Sequence, residues 1–183
     1  VKERGILWTV TAWNSFNTTF TIALISSLPT AAIGILTAYL LTRHKFRGKN
    51  AFEFGTMLSF AIPGSVIGVS YVFAFNVPPL ELTGTGIILV IAFVFRNMPV
   101  GVRAGIAAMN QLDPHLDEAS STLNASSSQT FRNVILPLLK PAITASLVFS
   151  FVRAMTAISA VIFLVSANYD LAVSYILLSL IHI

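Results

Sequence analysis

The sequence contains no cysteine. That absence excludes disulfides, thiolate nucleophiles and cysteine-ligated zinc together, and it leaves no redox argument for compartment. Charge is scarce as well: 10% of residues are charged, against roughly a quarter in soluble domains. A phosphate-cradling loop is also missing. Gly48-Lys49 is followed by Asn50 and has Arg43 where the first glycine belongs, so the chain is not its own ATPase. His44, His115 and His182 have neither metal-ligand nor triad spacing and read as polar residues of loops and a terminus. No catalytic residue, bound metal or cofactor is expected of this chain.

What is abundant is apolar. Hydrophobic residues make up 55% of the sequence and the mean hydropathy is +0.81, values that place it among membrane proteins. Residues 19–41 and 54–75 carry no charge over 23 and 22 residues, and about 20 suffice to span hydrocarbon as helix. Two further spans are predicted at 87–106, despite Arg96 and Pro99, and at 142–165, despite Arg153. A last run, 171–183, has only 13 residues and is expected to be an incomplete span. With the amino terminus also lacking an upstream span, the chain reads as a single membrane domain, residues 1–183, truncated at both ends.

Lys and Arg in short loops are retained on the cytoplasmic side. The stretch RHKFRGK, 43–49, holds four fixed positive charges, and the connection between the third and fourth predicted spans holds Arg103, Arg132 and Lys140. Connections 76–86 and 166–170 hold no Lys or Arg. The first two are therefore cytoplasmic and the last two outside. This distribution accounts for the pI of 9.8 without nucleic acid, because the basic residues are spread over loops rather than gathered in a stripe.

The cytoplasmic loop 110–140 contains a polar passage, DEASSTLNASSSQTFRNVILP, 117–137, between apolar runs. Asp113-Pro114 signals a helix start, since Asp caps free N–H groups and Pro at the first position gives up a donor without a partner. Asp117 and Glu118 favour the positive end of the helix dipole. Leu116, Ala119 and Leu123 predict an apolar face, and Asn124 tolerates the left-handed conformation that ends a helix. Ser126 with Gln129 matches a capping box. Phe131, Val134 and Ile135 supply the face of a second short helix that Pro137 terminates or kinks. Helices this short are marginal alone in water, so apolar faces on both predict docking onto a partner.

Glu118-Ala119-Ser120, Leu123-Asn124-Ala125-Ser126, Phe131, Val134, Leu136-Pro137-Leu138 and Pro141 resemble the EAA loop of ABC importer permeases, the inner-membrane components of binding-protein-dependent uptake systems. Segments 96–99 and 111–114 resemble what precedes that loop. The departures are Ser120 for the second Ala and Asn124 for Gly; Ser is small enough for the same packing, and Asn reaches the Gly conformation at modest cost. The resemblance implies an all-α, polytopic inner-membrane helical bundle of the type I importer class. It implies that loop 110–140 is a coupling helix seated in a groove of a cytoplasmic ABC ATPase dimer, which holds ATP and Mg. By position Glu118 contacts the ATPase, Ala119 packs closely against it and Asn124 sets the turn. The implied partners are a periplasmic or extracellular substrate-binding protein, a second permease half, fused or separate, and membrane lipid. Segment 151–170 is similar to the corresponding region of ferric-iron permeases, in their second half, so ferric iron is the expected cargo; phosphonate, thiamine, polyamine or sulfate are the alternatives within the family.

Arg96 and Arg153 stand in predicted spans, where charges usually face a cavity or a partner. They either line the translocation path and attract anionic or chelated cargo, or bond carbonyls freed near Pro99 or snorkel. A secondary carrier driven by an ion gradient would place acids near the midplane, and none of Glu53, Glu81, Asp113, Asp117, Glu118 or Asp170 falls convincingly inside a span.

Overall fold

Proline interrupts one apolar run and is carried inside two others. The computed structural model describes residues 2–113, 115–166 and 169–181. Helix α1, Lys2–Arg43, runs straight through Pro29, and α4, Gly86–Met109, runs through Pro99. Both are long and apolar enough to cross a membrane, and α1 begins well before the 19–41 run that predicted it. They lie along each other with backbones close: a Cβ on Gly34 would stand 3.0 Å from the Cα of Gly101. Small residues at such a crossing let dispersion contacts replace the hydrophobic drive that lipid cannot supply.

The run 54–75, expected as a span, is not one continuous helix. It divides into α2, Lys49–Ala61, and α3, Gly64–Phe75, bent by 107°. Ile62 is extended at φ −81°, ψ 132°, as a residue before proline tends to be, and Pro63 then caps α3. The run 142–165 also differs. Helix α8, Lys140–Thr156, ends early, and 157–165 forms turns closed by bonds such as Val161 N to Ile158 O at 3.1 Å. The two interruptions abut: a side chain on Gly64 would strike Ser159, and one on Gly68 the carbonyl of Ala160. Broken backbone at membrane depth is tolerated where protein or a wet cavity covers it.

Between α3 and α4 a short antiparallel hairpin pairs β1, Asn76–Val77, with β2, Leu80–Glu81. The last helix is α9, Ala172–Ile181. Of the run 171–183, residues 182 and 183, and with them His182, lie outside the described residues.

Burial follows a membrane pattern. Along α1 the hydroxyl residues Ser26 and Thr30 are buried while Leu28 is 61% exposed. Thr30 Oγ1 donates to the Ser26 carbonyl and Ser26 Oγ to the Ala23 carbonyl, at 2.6 and 3.1 Å, so these two inward hydroxyls are satisfied within their own helix. One apolar cluster joins Ile22, Ala92, Phe93, Leu164 and Leu171, and a second joins Ile35, Met109, Ile135 and Leu139.

The connections gather at the two ends of α1. At one end Ser15 Oγ donates to Asp170 Oδ2 at 3.2 Å, Ala172 N donates to Thr19 Oγ1 at 2.8 Å, and Ser166 Oγ donates to the Gly84 carbonyl at 2.9 Å. These bonds gather the connections without Lys or Arg. At the other end Arg43 meets Asp117, which brings the two basic connections together.

Candidate functional site

The 110–140 connection folds as helix, turn, helix, with three short elements in the second arm. Asp113 Oδ1 accepts from His115 N at 2.9 Å and opens α5, His115–Thr122; Pro114 lies outside the described residues. The end of α5 is a two-bond motif. Ala125 N donates to the Ser120 carbonyl and Asn124 N to the Ser121 carbonyl, both at 3.0 Å, with Asn124 at φ +57°. This is the Schellman arrangement, in which one left-handed residue lets two terminal carbonyls find donors. Asn124 thus takes the conformation read for it.

Ser126 then begins α6, Ser127–Thr130, through a complete capping box: Ser126 Oγ accepts from Gln129 N at 3.3 Å and Gln129 Oε1 accepts from Ser126 N at 2.8 Å. A π-helical turn, Phe131–Ile135, and a short α7, Leu136–Leu138, follow. The second arm does not end at Pro137. It continues to Leu138, and the chain bends by 71° at Leu139 before α8. A π turn has no signature in the apolar spacing, which is why sequence reasoning missed it.

The apolar face read for α5 is not the face it buries. Leu116 and Asp117 are half-buried and Ser120 is buried, whereas Glu118 and Ala119 are exposed and Leu123 is 83% exposed. The physical reason is Arg43. Its guanidinium sits at the end of α1 with 12% of the side chain exposed, 3.2 Å from Asp117 Oδ2. A buried cation turns the acid inward and leaves Ala119 and Leu123 outward. The contact is an ion pair rather than a directed hydrogen bond, because Nε and Nη2 of Arg43 have no hydrogen-bond partner among the described residues. Tyr39 sits beside this pair, its ring tilted against Phe131 with centroids 4.6 Å apart and edge-on to His44 at 5.5 Å. A cavity of about 200 Å³ lined by Tyr39, Arg43, Asp117, Ser121 and Thr130 lies under the two arms. Arg43 and Tyr39 are the residues that sequence reasoning did not assign to this site; Arg43 entered only as a topology charge.

The second arm is fixed by burial of Ile135 and Thr130 and by Phe131. Leu136 joins Phe131, Ile35 and Leu28 along an apolar groove, and Pro137 is exposed. On the outward side His115 Nδ1 lies 3.0 Å from Glu118 Oε2. That hydrogen bond, with Asp113 and Glu118 as negative neighbours, raises the His115 pKa above its ordinary value.

Arg96 and Arg153 come together. Both line a cavity of about 260 Å³ with Asn97, Thr156 and Ser159. Arg153 lies over the Phe149 ring at 5.9 Å from its centroid, and Arg96 Nη1 is buried with no hydrogen-bond partner among the described residues. Neither forms an ion pair with a described acid. Among the described residues no three His, Asp or Glu side chains gather where a metal ion could be held.

The sequence profile described as "Binding-protein-dependent transport system inner membrane component" matches residues 19–176. The chain is 52% identical over 166 residues to the ferric transport system permease protein FbpB of Actinobacillus pleuropneumoniae, covering 91% of this chain and 24% of that relative. It is 54% identical over 157 residues to the putative ferric transport system permease protein FbpB 1 of Haemophilus influenzae, covering 86% and 25%. It is 31% identical over 160 residues to the sulfate transport system permease protein CysT of Salmonella typhimurium, covering 82% and 58%. The chain spans about a quarter of the length of the two ferric relatives.

Proposed function

Because this chain belongs to the family of inner-membrane components of binding-protein-dependent transport systems, we propose that it is the permease part of an ATP-driven importer whose cargo is ferric iron. In this reading α5 and the arm after it are the handle by which a cytoplasmic ATPase dimer, which carries ATP and Mg, works the membrane helices. A binding protein outside delivers cargo, and a second permease half completes the path. The cavity lined by Arg96 and Arg153 is a section of that path.

The observation that carries the coupling reading is the orientation of α5. One side is held to the end of α1 by Arg43 and Asp117, and the other offers Glu118, Ala119 and a Leu123 that is 83% exposed. A short helix with a fixed back and an unfilled apolar front is suited to seat in another protein's groove. Burying Leu123 there would contribute roughly 1.5–3 kcal/mol. The reverse reading, a solvated connector, leaves the cost of exposing that side chain without return.

The cargo reading rests on the two ferric relatives at 52% and 54% identity. Sulfate is the second reading, favoured by the sulfate relative at 31% identity and by the positive charge of the cavity.

The test is crosslinking in inner membranes of the full-length parent, with Ala119→Cys and a scan of surface cysteines on the ATPase. A crosslink whose yield changes with ATP supports the coupling reading. No crosslink, together with iron uptake that persists when the ATPase is removed, would replace it with a gradient-driven carrier.

A further inference from the structure

We infer that the Arg96–Arg153 cavity is a binding site for a small oxyanion, phosphate or carboxylate, and that iron crosses this permease as a ferric–oxyanion complex rather than as a bare cation. This inference rests on the ferric reading above and deepens it.

The electrostatics carry the argument. Two guanidinium groups from different helices, α4 and α8, line one cavity, and no acid joins them there. Like charges brought together in a membrane-embedded site are costly unless a counter-charge arrives. The chain supplies none among its described residues. A bare trivalent ion would make the imbalance worse, because its repulsion from each guanidinium is about three times that between unit charges at the same distance. An oxyanion reverses the sign. It offers acceptor oxygens to donors that otherwise have none, and guanidinium groups suit it because they present paired N–H donors in a planar fork.

The local structure is built to keep those donors available. Arg96 stands near the middle of α4, and its Nη1 is buried without a hydrogen-bond partner. Arg153 is steadied over Phe149 by a contact that leaves its N–H edges free to donate. Asn97 is 3% exposed and adds an amide to the wall. The other wall is 156–159, where α8 gives way to irregular backbone and Ser159 adds a hydroxyl. Room is sufficient: the cavity of about 260 Å³ is several times the roughly 30 Å³ that one water occupies in the liquid. The site also adjoins the close contact of Gly64 with Ser159. It therefore lies where two interrupted spans meet and could open or close without unwinding a continuous helix.

The experiment uses the full-length permease with its ATPase and binding protein in proteoliposomes, with ⁵⁵Fe(III) and ³²P-phosphate outside, or ¹⁴C-citrate in place of phosphate. Luminal radioactivity is read after ATP is supplied to the ATPase. The expected result is ATP-dependent entry of one of the two oxyanions together with ⁵⁵Fe, and which label enters identifies the anion. Arg153→Gln lowers both labels by about tenfold or more, the loss of one charge-assisted hydrogen bond, and Arg153→Lys restores only part of both, because it returns the charge without the planar fork. Arg153 is the residue to change because it is exposed and its loss leaves the α1–α4 contact intact. Entry of ⁵⁵Fe with neither oxyanion, or uptake indifferent to Arg153→Gln, overturns the inference. Entry of an oxyanion without ⁵⁵Fe, lost in Arg153→Gln, removes the ferric reading and keeps the anion site. Entry of nothing while the binding protein still stimulates ATP hydrolysis removes both.

Discussion

Arg43 at the end of α1 and Asp117 in α5 face each other at 3.2 Å, and this pair sets which side of α5 is turned outward. The arginine is the more buried partner, with 12% of its side chain exposed against 36% for the acid. Asp117→Asn removes the counter-charge and keeps the shape. After allowance for solvent screening at the acid, the expected cost is about 1 kcal/mol. Hydrogen–deuterium exchange of α5 in the purified full-length permease should quicken by roughly fivefold for that loss, while α4 is unchanged. Equal exchange in the two proteins would mean that Arg43 does not hold the helix.

Leu123 is 83% exposed, so its replacement should not disturb the permease itself. Leu123→Asp is expected to leave the melting temperature within about 1–2 °C, as surface changes generally do, and to cut ATP-driven uptake by about tenfold or more through loss of an apolar anchor. A variant that melts early, or one that transports normally, would argue against the outward side of α5 as the partner's surface.

Asn124 holds φ +57°. Glycine adopts that conformation freely and a β-branched residue resists it, at about 1–2 kcal/mol. Asn124→Gly is expected to keep the ATP-sensitive crosslink from Ala119→Cys, and Asn124→Val to weaken it several-fold. Equal yields would show that the angle between the two arms does not matter for coupling.

His115 and Glu118 give α5 a pH dependence. The His115 pKa is raised, first by its hydrogen bond to Glu118 and then by the negative charge of Asp113 and Glu118. The folded value thus exceeds the unfolded one of about 6.5. A raised pKa stabilises the fold fully below the unfolded value, and that contribution is lost as pH rises through the folded value. Exchange of the α5 amides, corrected for the intrinsic pH effect, should therefore quicken on passing upward through the raised pKa. Glu118→Gln should move the His115 titration, followed by NMR, down toward 6.5; a titration that stays in place would assign the shift to Asp113 alone.

Gly34 and Gly101 bring α1 and α4 into backbone contact, with the Gly34 Cβ position 3.0 Å from the Gly101 Cα. Gly34→Val forces the helices apart and is expected to destabilise the permease by about 1–3 kcal/mol, the usual range for overpacking. The readout is unfolding in mixed detergent micelles. A wild-type curve would mean that the crossing adjusts.

Local chemistry was legible where it is local. The capping box at Ser126 and Gln129 and the left-handed Asn124 depend on neighbours a few residues away; the first was read from spacing and the second from the residue type. The burial of α5 was not, because Asp117 faces inward for the sake of an arginine on a distant helix. The spacing of Leu116, Ala119 and Leu123 describes a face but cannot say what lies opposite it. Pro63 follows a break, yet Pro29 and Pro99 carry the same covalent restriction inside helices that stay whole. The difference is packing: α1 and α4 support each other past their prolines, while Ile62 is free to extend before Pro63.

The sequence by itself determined that this is a membrane chain, which ends of its helices share a side, and where the polar loop caps, turns and restarts. These follow from transfer of side chains out of water, from the retention of Lys and Arg on one side, and from short-range hydrogen bonding. Only the tertiary structure decided that α5 turns Leu123 outward, that two predicted spans are interrupted and meet, and that Arg96 and Arg153 share one cavity. Each of these is a relation between segments far apart in the chain. It is set by how those segments pack against one another, as when Asp117 turns to meet Arg43, a choice no single segment contains.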